Sequence, residues 1–80
     1  MNYRQGVLNE LLKHGVRPRP VTPSRLVRAF LNDLYRYELR QLRERLLRGE
    51  IAKGDYAGSV VQLRSRYPLL SLPIGLWTEE

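Results

Sequence analysis

Apolar residues fall into three stretches with helical spacing, separated by proline and glycine. Val7, Leu8, Leu11 and Leu12 share one face and predict a helix over residues 3–14. Gly15, behind Lys13 and His14, stops it. Residues 16–24, VRPRPVTPS, cannot be helix: Pro18, Pro20 and Pro23 impose extended backbone on themselves and on the residues before them. This is a stiff, Pro-rich connector. Thr22 as N-cap and Pro23 at the first helical position open the second helix. Arg25, where a capping box needs Glu or Gln, leaves that box incomplete. The helix runs to Arg48 and ends at Gly49.

On a helical wheel the apolar face of this long helix changes direction. Leu26, Val27, Phe30, Leu31 and Leu34 cluster near about 170°, whereas Tyr35, Leu39, Leu42 and Leu46 cluster near about 290°. Coiled-coil drift, ~20° per heptad, is too small to explain the change. Two partners are expected: the first helix against the N-terminal half, another element against the C-terminal half. A third helix over residues 54–67 supplies that element, with Tyr56, Val60, Leu63 and Tyr67 on one seam. Gly54 and Gly58 weaken it by ~1 kcal/mol each, or mark close approach of another backbone. Pro68 stops it. The tail, residues 68–80, is apolar, broken by Pro73 and Gly75, and reads as an extended strap. It either covers the chain's own core or docks on a partner through Leu72, Ile74 and Trp77, with Trp77 as the hot spot. The fold predicted is one all-α domain over residues 1–80. It comprises a short helix, the connector, and a long helix paired with the third in an antiparallel hairpin under the strap.

The elbow between the last two helices has a pattern of its own. Gly49, Ile51, Asp55 and Tyr56, preceded by Leu42 and Leu46 and followed by Leu63, stand at fixed offsets. The segment 42–67 resembles the short C-terminal domain (SHOCT) family, a Leu-rich helix, a glycine turn and a second helix. The resemblance implies a two-helix hairpin with an oligomerisation or interaction role and no catalysis. Gly49 would make the left-handed turn, and Ile51 and Tyr56 would staple the pair. Ala52 departs from the pattern, standing where Thr or Ser is usual. Alanine cannot accept the free N–H groups of a helix start, so the third helix is expected to begin later, with Asp55 as its cap. The other two thirds of the chain is assigned to no family.

Charge adds a second theme. The chain carries a net +6, from 14 basic and 8 acidic residues. Twelve of the basic residues are arginine. Arg25, Arg36, Arg40 and Arg43 lie between about 0° and 60° on the long helix, with Arg28 at the edge of that arc. Glu44 and Arg48 form a favourable i,i+4 pair beside the stripe. A positive balance of this kind suits nucleic acid, an anionic membrane surface or an acidic protein; the stripe is either a helix that lies in a groove or tracks a backbone, or an ordinary solvated face. Arg17 and Arg19 project from the connector, which is either an arm or a spacer.

Candidate chemistry is sparse. There is no cysteine and one histidine, so neither a disulfide nor a zinc site is expected. No glycine-rich phosphate loop, HExxH or GxSxG motif occurs. Ser24, Ser59, Ser65 and Ser71 lie in other segments than His14, which reads as a solvated helix-end residue. Glu50 and Asp55 could be paired across the elbow, but acid–base work also needs a pocket. Nor does the third helix resemble a recognition helix, since Gln62, Arg64, Ser65 and Arg66 crowd its wrong end. Neither catalytic residues nor a cofactor are expected. No apolar run approaches the ~18 residues of a membrane span, and the N-terminus has no secretory pattern, so the expected location is cytoplasmic. The function expected is that of a small basic accessory or assembly protein, acting through a protein partner or self-association. Nonspecific RNA or DNA binding by the arginine stripe is the alternative.

Overall fold

The computed structural model describes residues 2–79. Three helices account for most of it: α1, Gln5–Lys13; α2, Ser24–Leu47; and α3, Lys53–Ser65. Two two-residue strands, β1 (Asn2–Tyr3) and β2 (Thr78–Glu79), join the chain's ends in antiparallel register, Tyr3 opposite Thr78. The molecule measures 47 × 17 × 16 Å.

The two glycine stops work alike. Gly15 and Gly49 have φ of +74° and +77°, a conformation that glycine adopts without strain. Gly15 N–H donates to the Leu12 carbonyl and Val16 N–H to that of Leu11. Gly49 and Glu50 repeat the arrangement on Leu46 and Arg45. Both ends are thus closed by the paired bonds of a Schellman motif.

The helix starts differ from the expectation. Thr22 does not cap α2: its Oγ1 accepts the Arg19 N–H at 3.1 Å and its own N–H donates to the Arg19 carbonyl, closing a turn inside the connector. Pro23 occupies the cap position, and its carbonyl accepts the N–H groups of Leu26 and Val27. α3 begins at Lys53 with Ala52 at the cap position, and no side chain caps it. Asp55 lies inside the first turn, where a carboxylate favours the helix dipole without acting as cap.

Residues 68–79 are not extended as expected. They form 3-10 turns at Pro68–Ser71 and Ile74–Leu76 before β2. Pro68 opens the first turn and Pro73 precedes the second, each with φ set by its ring. The turns carry Leu69 and Leu70 into the core, and Trp77 with them. Trp77 Nε1–H donates to the Leu72 carbonyl at 3.3 Å, and the Trp77 carbonyl accepts the Arg4 N–H at 3.0 Å. The indole's one donor is satisfied, as burial requires.

The core comprises Tyr3, Val7, Leu11, Val27, Leu31, Leu63, Tyr67, Leu69, Leu70 and Trp77. The partner expected for the N-terminal half of α2 was α1. The structure interposes the C-terminal turns, which contact both helices. Of the predicted apolar cluster, Val27 and Leu31 are buried and Leu34 half-buried, whereas Leu26 and Phe30 face solvent. The C-terminal half of α2 contacts α3, with Tyr35, Leu39, Leu42 and Leu46 all half-buried. Within α3 the seam is uneven: Leu63 is buried, but Tyr56 and Val60 only partly so. A Cβ at Gly54 or Gly58 would meet nothing within 4 Å, so neither glycine is there for close backbone approach.

Candidate interaction surfaces

The five arginines of the predicted stripe divide three ways. Arg28 is half-buried and donates its guanidinium to the Leu70 carbonyl at 3.1 Å, tying α2 to the tail. Arg25 is exposed and borders an apolar groove with Tyr3, Val21 and Ile74. Arg36, Arg40 and Arg43 are exposed and together line a groove of about 410 Å³ with Asp33, Leu39 and Tyr56. These three have no ion-pair partner among the described residues. The expected Glu44–Arg48 pair is absent; Arg48 instead bonds Glu50 at 2.6 Å, and Arg45 lies 3.8 Å from the same carboxylate. Glu50 thus holds two arginines at the elbow. Ile51 and Tyr56, the expected staples, are half-buried.

Of the two arrangements expected for the tail, the structure has the one that covers the chain's own core. Trp77 is fully buried within the chain's own core, and Leu72 and Ile74 pack against that core half-buried. An indole enclosed on every side cannot insert into a partner's pocket. Exposed large apolar side chains gather on α2, where Leu26, Phe30, Tyr37 and Leu47 are 61%, 56%, 53% and 76% exposed; Leu12, Val21, Val61 and Leu76 are exposed singly elsewhere. The periodicity of α2 contained this signal, because these residues lie away from the arc through Val27, Leu31 and Leu42.

A polar cluster that the sequence did not reveal joins α1, α2 and the end of α3. His14 stacks on Tyr67, ring centroids 4.3 Å apart, and its Nε2 lies 2.8 Å from the Arg66 carbonyl. A carbonyl only accepts, so Nε2 carries the proton. The Tyr67 hydroxyl donates to Glu38 Oε2, and Tyr35 meets the Tyr67 ring edge-on at 5.3 Å. Arg64 lies 5.3 Å over the Tyr35 ring. Burial of the Tyr67 phenol, then its bond to the Glu38 carboxylate and that group's charge, raise its pKa far above the ordinary tyrosine value, against a smaller opposing effect of Arg66. Burial raises Tyr3 as well. His14 is therefore a packing residue at a helix junction, with its ring committed to Tyr67 and the Arg66 carbonyl.

Among the described residues no helix is long and apolar enough to cross a membrane. No protein-family model, curated protein or solved structure matches the chain.

Proposed function

We propose that the protein is a non-catalytic accessory or assembly factor that acts through protein–protein contact or self-association, and that its contact surface is the outward face of α2. One observation carries this reading. Four large apolar side chains, Leu26, Phe30, Tyr37 and Leu47, stand more than half exposed along that helix, where a chain acting alone would lose little by carrying polar residues. The tail contributes by closing the core. On the same reading α2 and α3 form an antiparallel hairpin. Support comes from Tyr67, beyond the end of α3, reaching back to Glu38 and Tyr35, and from the left-handed Gly49 between the helices. A SHOCT-like hairpin uses such a glycine, which favours the kinship suggested by residues 42–67. The commitment of His14 to packing favours the non-catalytic assignment.

The test combines Leu26→Ser with Phe30→Ser. Exposed positions tolerate such changes within about 0.5 kcal/mol each, so the thermal melt should barely move. Association, read as mass by light scattering of the pure protein and as co-purifying complexes from its own cells, should be lost. Association unchanged in the double variant would overturn the assignment of this face.

A further inference from the structure

We propose that the outward face of α2 is a self-complementary homodimer interface. Two copies would pack α2 against α2, antiparallel, about a two-fold axis between residues 36 and 37. The inference rests on the interaction reading above and names the partner: a second copy of this chain.

The argument starts from a row of side chains. Leu26, Asp33, Arg40 and Leu47 recur every seventh residue on α2, and all four are exposed. Residues seven apart shift by only ~20° around a helix, so the row stays on one face. At 1.5 Å per residue it extends ~32 Å. Read from the opposite end, Leu-Asp-Arg-Leu becomes Leu-Arg-Asp-Leu. Two copies laid antiparallel therefore set Leu26 against the partner's Leu47 and Asp33 against the partner's Arg40. A two-fold axis makes each contact twice, as an isologous interface requires.

The charges also exclude the alternatives. In parallel packing Asp33 and Arg40 would each face their own copies. Sliding the antiparallel pair by seven residues in one direction sets Asp33 against itself, and in the other sets Arg40 against itself. Like charges placed opposite each other select against a partner or register. Arg40, without an ion-pair partner in the single chain, acquires the partner's Asp33 carboxylate. α3 packs on α2, and its Tyr56 borders the Asp33 and Arg40 edge of this face.

Charge reversal tests the pairing. The wild-type protein should have twice the 9.4 kDa chain mass by light scattering at high micromolar concentration. Asp33→Arg alone and Arg40→Asp alone should each weaken the dimer at least ~100-fold, with two like-charge contacts per interface. Each should retain the wild-type circular dichroism spectrum, since both side chains are exposed. Mixing the two single variants should restore a dimer, because one presents two cations where the other presents two carboxylates; D33R/R40D in one chain should also restore it. A monomeric wild type overturns the dimer. Complexes with another protein that remain sensitive to Leu26→Ser and Phe30→Ser would then leave the interaction reading standing, and their absence would remove both. Single variants that stay dimeric, or a mixture that stays monomeric, overturn the pairing. A monomer whose Arg40→Asp variant loses salt-dependent affinity for a single-stranded RNA oligonucleotide would overturn it in favour of phosphate binding.

Discussion

All ten buried core residues lie within residues 3–31 or 63–77, and from residue 32 to 62 no side chain is classed as buried. The first region is enclosed by α1, the start of α2, the end of α3 and the C-terminal turns. The second consists of the remaining lengths of α2 and α3. Two helices can cover only one face of each other, so Leu39, Leu42, Leu46, Ile51, Tyr56 and Val60 all stop at half-burial. This short chain concentrates its limited buried apolar area at one end. The other end is an arm of α2 and α3 packed on each other, and α2, shared between the two regions, carries exposed apolar side chains on its outer face.

The largest expected effect comes from breaking the closed end. Trp77→Ala removes a fully buried indole and should cost about 3–5 kcal/mol, a large part of a small domain's stability. Leu42→Ala, in the arm, removes only half-buried surface and should cost about 1 kcal/mol. Urea titration followed by circular dichroism checks both. Equal losses would mean that the two regions are not differently built.

A smaller effect tests the junction between them. Tyr67→Phe deletes the hydroxyl that bonds Glu38 and should cost about 1 kcal/mol near neutral pH. The wild type should also lose stability in alkali. Tyr67 and Tyr3 keep their protons in the folded state above pH 10, the ordinary tyrosine value, whereas the unfolded chain releases them there. The folded state then binds more protons than the unfolded, so stability is complete below pH 10 and falls as pH rises through the raised values. Thermal melts between pH 8 and 11 should show a shallower fall in Tyr67→Phe, with the remainder contributed by Tyr3. An unchanged slope would remove Tyr67 as its source.

The smallest effect runs the other way. Gly54→Ala and Gly58→Ala should each stabilise the arm by roughly 0.5–1 kcal/mol, because both glycines lie in α3 with open space at the Cβ position. Amide hydrogen exchange should show slower opening in α3, with the amides of Leu11 and Leu31 protected by global stability alone. Destabilisation by either substitution would reveal a contact that the single chain does not make.

Much of the helical architecture was legible because helices are encoded locally. The spacing of Val7 and Leu11, the prolines of the connector, and glycines at the positive-φ ends of α1 and α2 each act within a turn or two of chain. Where local reasoning failed, a competing local interaction had won. Thr22 serves a connector turn instead of capping α2, and α3 starts at Lys53 without any side-chain cap. The candidate site was less legible. Its arginines share one arc of the helical wheel, but Arg28 is drawn to Leu70, 42 residues away. His14 and Arg66 lie 52 residues apart, and no sequence pattern links them.

By itself, the sequence determined the three helices, their glycine stops, the basic character of α2 and the heptad row from Leu26 to Leu47. Each follows from backbone preference or residue spacing, which a linear chain already contains. Only the tertiary structure decided that Trp77 faces inward, that the tail coils into turns between α1 and α2, and that Leu26 and Phe30 remain uncovered. Apolar residues compete for a core too small to hold them all. Which are enclosed depends on how distant segments fill the space together, a geometric outcome that the pattern of any one helix does not contain.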